Sequence, residues 1–121
     1  SRAKTTEAVA GLGAICGREA EYKSETTSFL AVAAGDIANE PKHTTNPGLG
    51  LDFADAAYFG NNCFSVALDA TYGHIATCDG GATGNAAPRA ADVADIIVKM
   101  RGKGRVVRYS YDGGTSYSAW K

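Results

Sequence analysis

From Arg2 to about Ser28 the apolar positions recur at helical spacing. Val9, Leu12, Cys16 and Ala20 form one stripe, overlapped by Ala8, Leu12, Ile15 and Tyr22. Lys4, Glu7, Arg18, Glu19, Glu21, Lys23 and Glu25 fall on the other faces, and no proline interrupts the run. The pattern predicts one long helix. Gly11, Gly13 and Gly17 oppose it, each costing about 1 kcal/mol relative to alanine; they are either tolerated or let another backbone approach closely. Ser1 to Glu7 holds little that is large and apolar, so this end is expected to project from the domain.

Ala31 to Ala34 either prolongs the helix or makes a separate turn. From Gly35 to Ala57 the periodicity is lost, and Asp36, Pro41 and Asn46-Pro47-Gly48 are turn signals. A connection of about 20 residues is long for a small domain and is usually functional or packed as its own unit. Ala54 to Phe59 has room for one helical turn.

The period then changes to two. Cys63 to Leu68 places Phe64, Val66 and Leu68 on one face, and Gly73 to Cys78 alternates likewise, with Asp69-Ala70-Thr71-Tyr72 between them as a turn. Centring that turn between Ala70 and Thr71 pairs Val66 with Ile75, Phe64 with Thr77 and Cys63 with Cys78. Opposed residues of a non-hydrogen-bonded pair have α-carbons about 4.5 Å apart, close to disulfide reach. Asp79 to Ala87 is a glycine- and alanine-rich loop. Pro88 to Arg101 reads as a second, short helix with Ala90, Val93, Ile97 and Met100 on one stripe, although its Ile-Ile-Val run leaves a strand open. Arg105 to Tyr111 and Ser116 to Trp120 flank Asp112-Gly113-Gly114-Thr115 as a hairpin, pairing Val107 with Trp120 and Tyr109 with Ser118, with those three large residues facing the core.

One helix with one apolar stripe and two hairpins with one apolar face each fit together as an α+β domain. The long helix crosses a four-stranded antiparallel sheet, with the short helix beside it. The 121 residues leave room for a single domain: the helix over residues 1–30, a connecting loop over 31–57 and a sheet region over 58–121. Twelve basic and thirteen acidic side chains give a formal charge of -1, so no basic excess drives nonspecific binding to nucleic acid or membrane surfaces. No apolar run approaches the roughly 18 residues of a membrane span. The chain starts at Ser1 without a methionine, which suggests a processed or truncated form.

Cys16, Cys63 and Cys78 make an odd count. They are either three buried thiols of a cytosolic protein or one disulfide outside the cytoplasm with one thiol left over. The hairpin register favours the second: a Cys63–Cys78 disulfide, with Cys16 a buried free thiol. A cysteine nucleophile would need His43 or His74 as base, and no nucleophile signature surrounds any cysteine. Zinc is disfavoured because His74 lies two pairs away from the cysteines in that register. Asp79-Gly80-Gly81 resembles part of a calcium loop without enough further oxygen ligands. Asp92 and Asp95 read as a solvated helix flank. Tyr109, Tyr111, Tyr117 and Trp120 lack a basic groove, Arg105 and Arg108 alone not making one. No cofactor, metal, catalytic residue or specific nucleic-acid partner is expected.

The run Ser-Arg-Ala-Lys-Thr-Thr-Glu-Ala-Val-Ala-Gly-Leu-Gly-Ala-Ile, Ser1 to Ile15, resembles type IV pilins just after their hydrophobic N-terminal segment. Glu19-Ala20-Glu21-Tyr22-Lys23, with Phe29 after it, is similar to the continuing pattern. The resemblance covers roughly the first quarter of the chain; beyond it the likeness is one of architecture, and Cys16-Gly17 departs from the small or polar residues usual there. It implies a precursor cleaved and N-methylated at its new N-terminus, whose apolar helix half anchors it in the inner membrane and then packs in the core of an extracellular filament of identical subunits, built by a pilus assembly machinery. Membrane contact would run only through that segment, which would precede Ser1. The loop from Gly35 to Ala57 and the segment near Cys63 to Gly84 would form the outer surface and neighbour contacts. A type II secretion pseudopilin and a secreted adhesin or binding module are the alternative readings.

Overall fold

The computed structural model describes residues 2–82 and 91–121. A 25-residue helix, α1 (Arg2–Thr26), lies on a four-stranded antiparallel sheet of β1 (Phe64–Asp69), β2 (Gly73–Asp79), β3 (Ile97–Arg101) and β4 (Val107–Ser110) in the order β1-β2-β3-β4. The α+β architecture with one long helix is therefore as the periodicity requires. The helix packs across β2 and β3. It buries Ala8, Gly11, Leu12, Ile15, Cys16 and Glu19, and ends where Thr27 turns to φ 76° while its N–H still reaches the Lys23 carbonyl at 2.8 Å. Leu12, Ile15, Phe59, Phe64, Val93 and Val98 are at the centre of the core.

Gly11 is the one helix glycine that answers to packing. A Cβ there would stand 2.9 Å from the Phe64 ring, which itself stacks on Phe53 at 4.2 Å between centroids. Added Cβ atoms at Gly13 and Gly17 would meet nothing. The first turns of the helix do not project freely, contrary to expectation. The Glu7 carboxylate accepts the N–H groups of Ala57, Tyr58 and Phe59 at 2.8, 2.8 and 3.0 Å, and Lys4 pairs with Asp92. Polar side chains thus tether an end that has little apolar surface.

The first hairpin forms one residue out of the expected register. Asp69 pairs with Gly73, Val66 with Ala76 and Phe64 with Cys78, so Cys63 is not directly opposite Cys78. The cause is the turn. Gly73 takes φ 83° and the Asp69 carboxylate accepts the N–H groups of Thr71 and Tyr72 at 3.0 and 2.7 Å, which closes a three-residue loop rather than a two-residue one. A slip of one residue reverses the faces of β2. His74, Ala76 and Cys78 point into the core, and Ile75 and Thr77 lie on the opposite, outer face.

The expected second helix is replaced, within the described residues, by a 3-10 turn (Ala91–Val93) and β3; Pro88 and Ala90 lie outside those residues. The β-branched Ile96-Ile97-Val98 run suits a strand, and Val98 and Met100 reach the core at period two. The last segment returns along the free edge of β4 without forming a strand. Ser118 N–H reaches the Tyr109 carbonyl at 2.8 Å, as expected, but Val107 exchanges bonds with Lys121 at 2.8 and 3.1 Å rather than with Trp120. Val107 and Tyr109 pack against the core, whereas Trp120 lies with the arginines of the outer face.

In the connection from α1 to β1, Ala54 to Phe59 makes only turns, and a 3-10 turn (Asn61–Cys63) leads into the strand. The connection is packed as a unit of its own. Val32 exchanges backbone bonds with Val66 at 2.9 and 2.8 Å, adding a single bridge at the β1 edge, and Ile37 and Leu49 are buried.

Candidate functional site

Cys16, Cys63 and Cys78 are each at most 3% exposed, and all three stand as free thiols in this structure, the Cys63 and Cys78 pair included. Burial pushes the Cys16 and Cys63 thiols up to about 11 and Cys78 higher still, where a neighbouring Cys63 charge adds to the effect. Thiols so placed are protonated at neutral pH and make poor nucleophiles.

The histidines do not serve them. His43 is exposed, and its Nδ1 accepts the Asn46 N–H at 3.2 Å. His74 is 1% exposed, edge-on to Phe29 at 4.7 Å between ring centroids, and its Nδ1 has no partner. Burial and then the Arg105 charge hold His74 below its ordinary value. It shares a strand face with Cys78 but lies four residues away, about 13 Å along an extended chain. The one-residue slip in the hairpin register puts His74 on the core face.

Among the described residues no three His, Cys, Asp or Glu side chains come together as a metal-binding set. The Asp79 carboxylate of the glycine-rich turn is taken by the Gly81 N–H at 2.9 Å, and Asp92 is taken by Lys4. The buried acid is one that sequence spacing assigned to the surface. Glu19 is fully buried, its Oε1 accepts the Leu30 N–H at 2.8 Å, and its Oε2 has no partner. Desolvation pushes its carboxyl up to about 7, against the smaller opposing effect of the Leu30 bond. The signal was present: Glu19 is four residues after Ile15 and three after Cys16, on the buried stripe.

Three surfaces remain. A groove of 570 Å³ runs between the C-terminal half of α1 and the connecting segment, past Arg18, Tyr22, Glu25, Pro41 and Leu49, with Arg18 donating to the Leu49 carbonyl at 2.9 Å. The outer face of α1 exposes Ala3, Thr6, Ala10, Ala14 and Ala20. On the outer face of the sheet, Arg101 lies 4.5 Å from the Tyr72 ring and 5.6 Å from Trp120. Arg108 lies 4.6 Å from Trp120 and 5.7 Å from Tyr117, and Lys99 5.8 Å from Tyr117. Among the described residues no helix is long and apolar enough to cross a membrane.

Comparison of the chain with protein-family models, curated proteins and solved structures finds no match.

Proposed function

We propose that this chain is the globular part of a type IV pilin-like filament subunit: a structural protein whose mechanism is assembly, with no catalytic site. The observation that carries the reading is the relation of α1 to the sheet. The helix is about 37 Å long, whereas four strands spaced about 4.8 Å apart span roughly 15 Å between the outer two. It buries one face on the sheet and leaves the small residues Ala3, Thr6, Ala10 and Ala14 exposed, so a neighbouring helix can approach that side closely. In this reading an apolar helix half ahead of Ser1 holds the precursor in the inner membrane, then packs against identical helices in an extracellular filament, and the sheet domain faces outward. The partners are further copies of the chain and the machinery that assembles them.

The test is fractionation of source cells with antibody against this domain. Sheared surface filaments should carry the chain as a repeating subunit along their length. A short assembly confined to the periplasm would move the protein to the pseudopilins. A freely secreted monomer would remove the filament mechanism in favour of a binding module.

A further inference from the structure

The groove beside the C-terminal half of α1 holds three unpaired carboxylates. Glu21 and Glu25 stand one helical turn apart on its helix wall, and Glu40 faces them from the connecting segment. All three are exposed, and the single ion pair among the described residues is Lys4 with Asp92, elsewhere in the fold. Two cations share the groove. Arg18 is turned to the wall, donating to the Leu49 carbonyl at 2.9 Å, and Lys42 stands exposed on the rim. Lys23 leans outside it, 4.5 Å from the Phe29 ring. The acids therefore remain in excess. Tyr22 and Leu49 add an apolar floor, on which the aliphatic stems of long basic side chains can lie while their heads reach the carboxylates. At 570 Å³ the hollow is within the range of about 300–1,000 Å³ that takes a bound group.

The opposite charge is concentrated in the turn between β3 and β4. Lys103, Gly104 and Arg105 are exposed there, and no acid occurs from Ile96 to Tyr111. Backbone bonds fix the turn: Arg101 N–H donates to the Val106 carbonyl at 3.0 Å, Gly102 N–H to His74 at 2.7 Å and Lys103 N–H to Tyr72 at 2.9 Å. Its tip is left-handed, with Gly104 at φ 78° and Arg105 at φ 50°, a region that disfavours a residue with a side chain. Two cations are thus presented from preset positions, so docking them orders little chain. The outer sheet face differs. Arg101 and Arg108 are stacked on Tyr72 and Trp120, and Asp79 on the same face offsets part of their charge.

Within one copy the two surfaces do not meet. The connecting segment that walls the groove lies along the β1 edge, where Val32 bridges Val66, and the basic turn joins the two strands on the other side of the sheet. We infer that the Lys103–Arg105 turn of one copy docks in the acidic groove of the next, with Lys103 and Arg105 facing Glu21, Glu25 and Glu40. The occupant is a second copy because the chain itself carries the projection of matching charge. Since the two surfaces are unlike, the contact is heterologous and repeats along a row. The inference deepens the filament reading and rests on it: subunits lined up through their helices are also keyed to one another at their sheet domains.

The test uses the 121-residue chain itself. Isotope-labelled and unlabelled copies, mixed at low salt and joined by a carbodiimide, should give Lys103 linked to Glu21, Glu25 or Glu40 of the other label. Salt at about 1 M, where charges are screened within about 3 Å, should remove these links. By sedimentation, Glu21→Lys with Glu25→Lys should weaken self-association about tenfold, and Lys103→Glu with Arg105→Glu should do the same. Mixing the two charge-reversed chains makes both contacts complementary again and should restore association. Lys42→Gln removes the cation that opposes docking and should tighten it by up to about fivefold. A chain that stays monomeric at about 1 mM and low salt would overturn the inference. So would association that the reversals leave unchanged, or that the mixture fails to restore while circular dichroism shows both variants folded. The filament reading is judged separately. Monomers in solution, with an apolar stretch ahead of Ser1 on the native protein, remove this contact and leave the filament; association with a native start at Ser1 keeps the contact and removes the filament.

Discussion

Replacing Glu19 with glutamine separates the charge of this residue from its hydrogen bond. The carboxyl is fully buried, holds the Leu30 N–H through Oε1, and leaves Oε2 without a partner. Burial raises it from an ordinary 4.5 to about 7. The folded state therefore binds this proton more tightly than the unfolded chain. The stabilising contribution is complete below about pH 4.5 and is lost as pH rises to about 7, after which it stays lost. At about 1.4 kcal/mol per pH unit the ceiling is about 3 kcal/mol, and water reaching the helix end brings the measured value below it. Glutamine keeps an acceptor for Leu30 and cannot ionise. Urea unfolding followed by Trp120 fluorescence, at steps from pH 4.5 to 8, gives both stabilities. The stability of Glu19→Gln minus that of the parent should rise by about 2–3 kcal/mol across this range and level off above pH 7. His74, held below its ordinary value, contributes in the opposite sense, since its stabilising effect is lost as pH falls below 6.5. It is common to both proteins and cancels in the difference. A difference that stays flat with pH would refute the buried, proton-holding carboxyl.

Gly11→Ala should destabilise by about 1–3 kcal/mol, because its Cβ meets the Phe64 ring at 2.9 Å, whereas Gly17→Ala, with open space, should gain up to about 1 kcal/mol; chemical denaturation measures both. Glu7→Ala orphans the N–H groups of Ala57, Tyr58 and Phe59 and should cost about 2–3 kcal/mol, with Glu7→Gln costing less, as thermal melts would record. The three buried thiols should react slowly in the native protein, and unfolded, unreduced protein should titrate three; a count of one would restore the Cys63–Cys78 bond that the hairpin pattern suggested.

The helix was legible because Ala8, Leu12, Ile15 and Cys16 repeat at 3.6 residues over a long run without proline. The strands β1 and β2 were equally plain, but their register was not. Register depends on whether Gly73 closes a three-residue turn, and either choice leaves Phe64 and Val66 facing inward. The alternation of small residues in β2 was too weak to say which face His74, Ala76 and Cys78 would take. The third strand was misread because Val93, Ile97 and Met100 fit a helical stripe, while Ile97 and Val98, both buried, belong to opposite faces of one strand. That error dispersed Lys99 and Arg101 and concealed the cationic face. Glu19 was misplaced for a different reason: charge suggests solvent, and the Leu30 N–H that its Oε1 accepts comes from a segment with no pattern of its own.

The filament reading is tested most directly by the N-terminal sequence and intact mass of the native protein isolated from its source cells. An N-methylated first residue leading an apolar stretch of about 20 residues that runs into Ser1 is the predicted result. A native start at or near Ser1, or one left by an ordinary secretion signal, would contradict it.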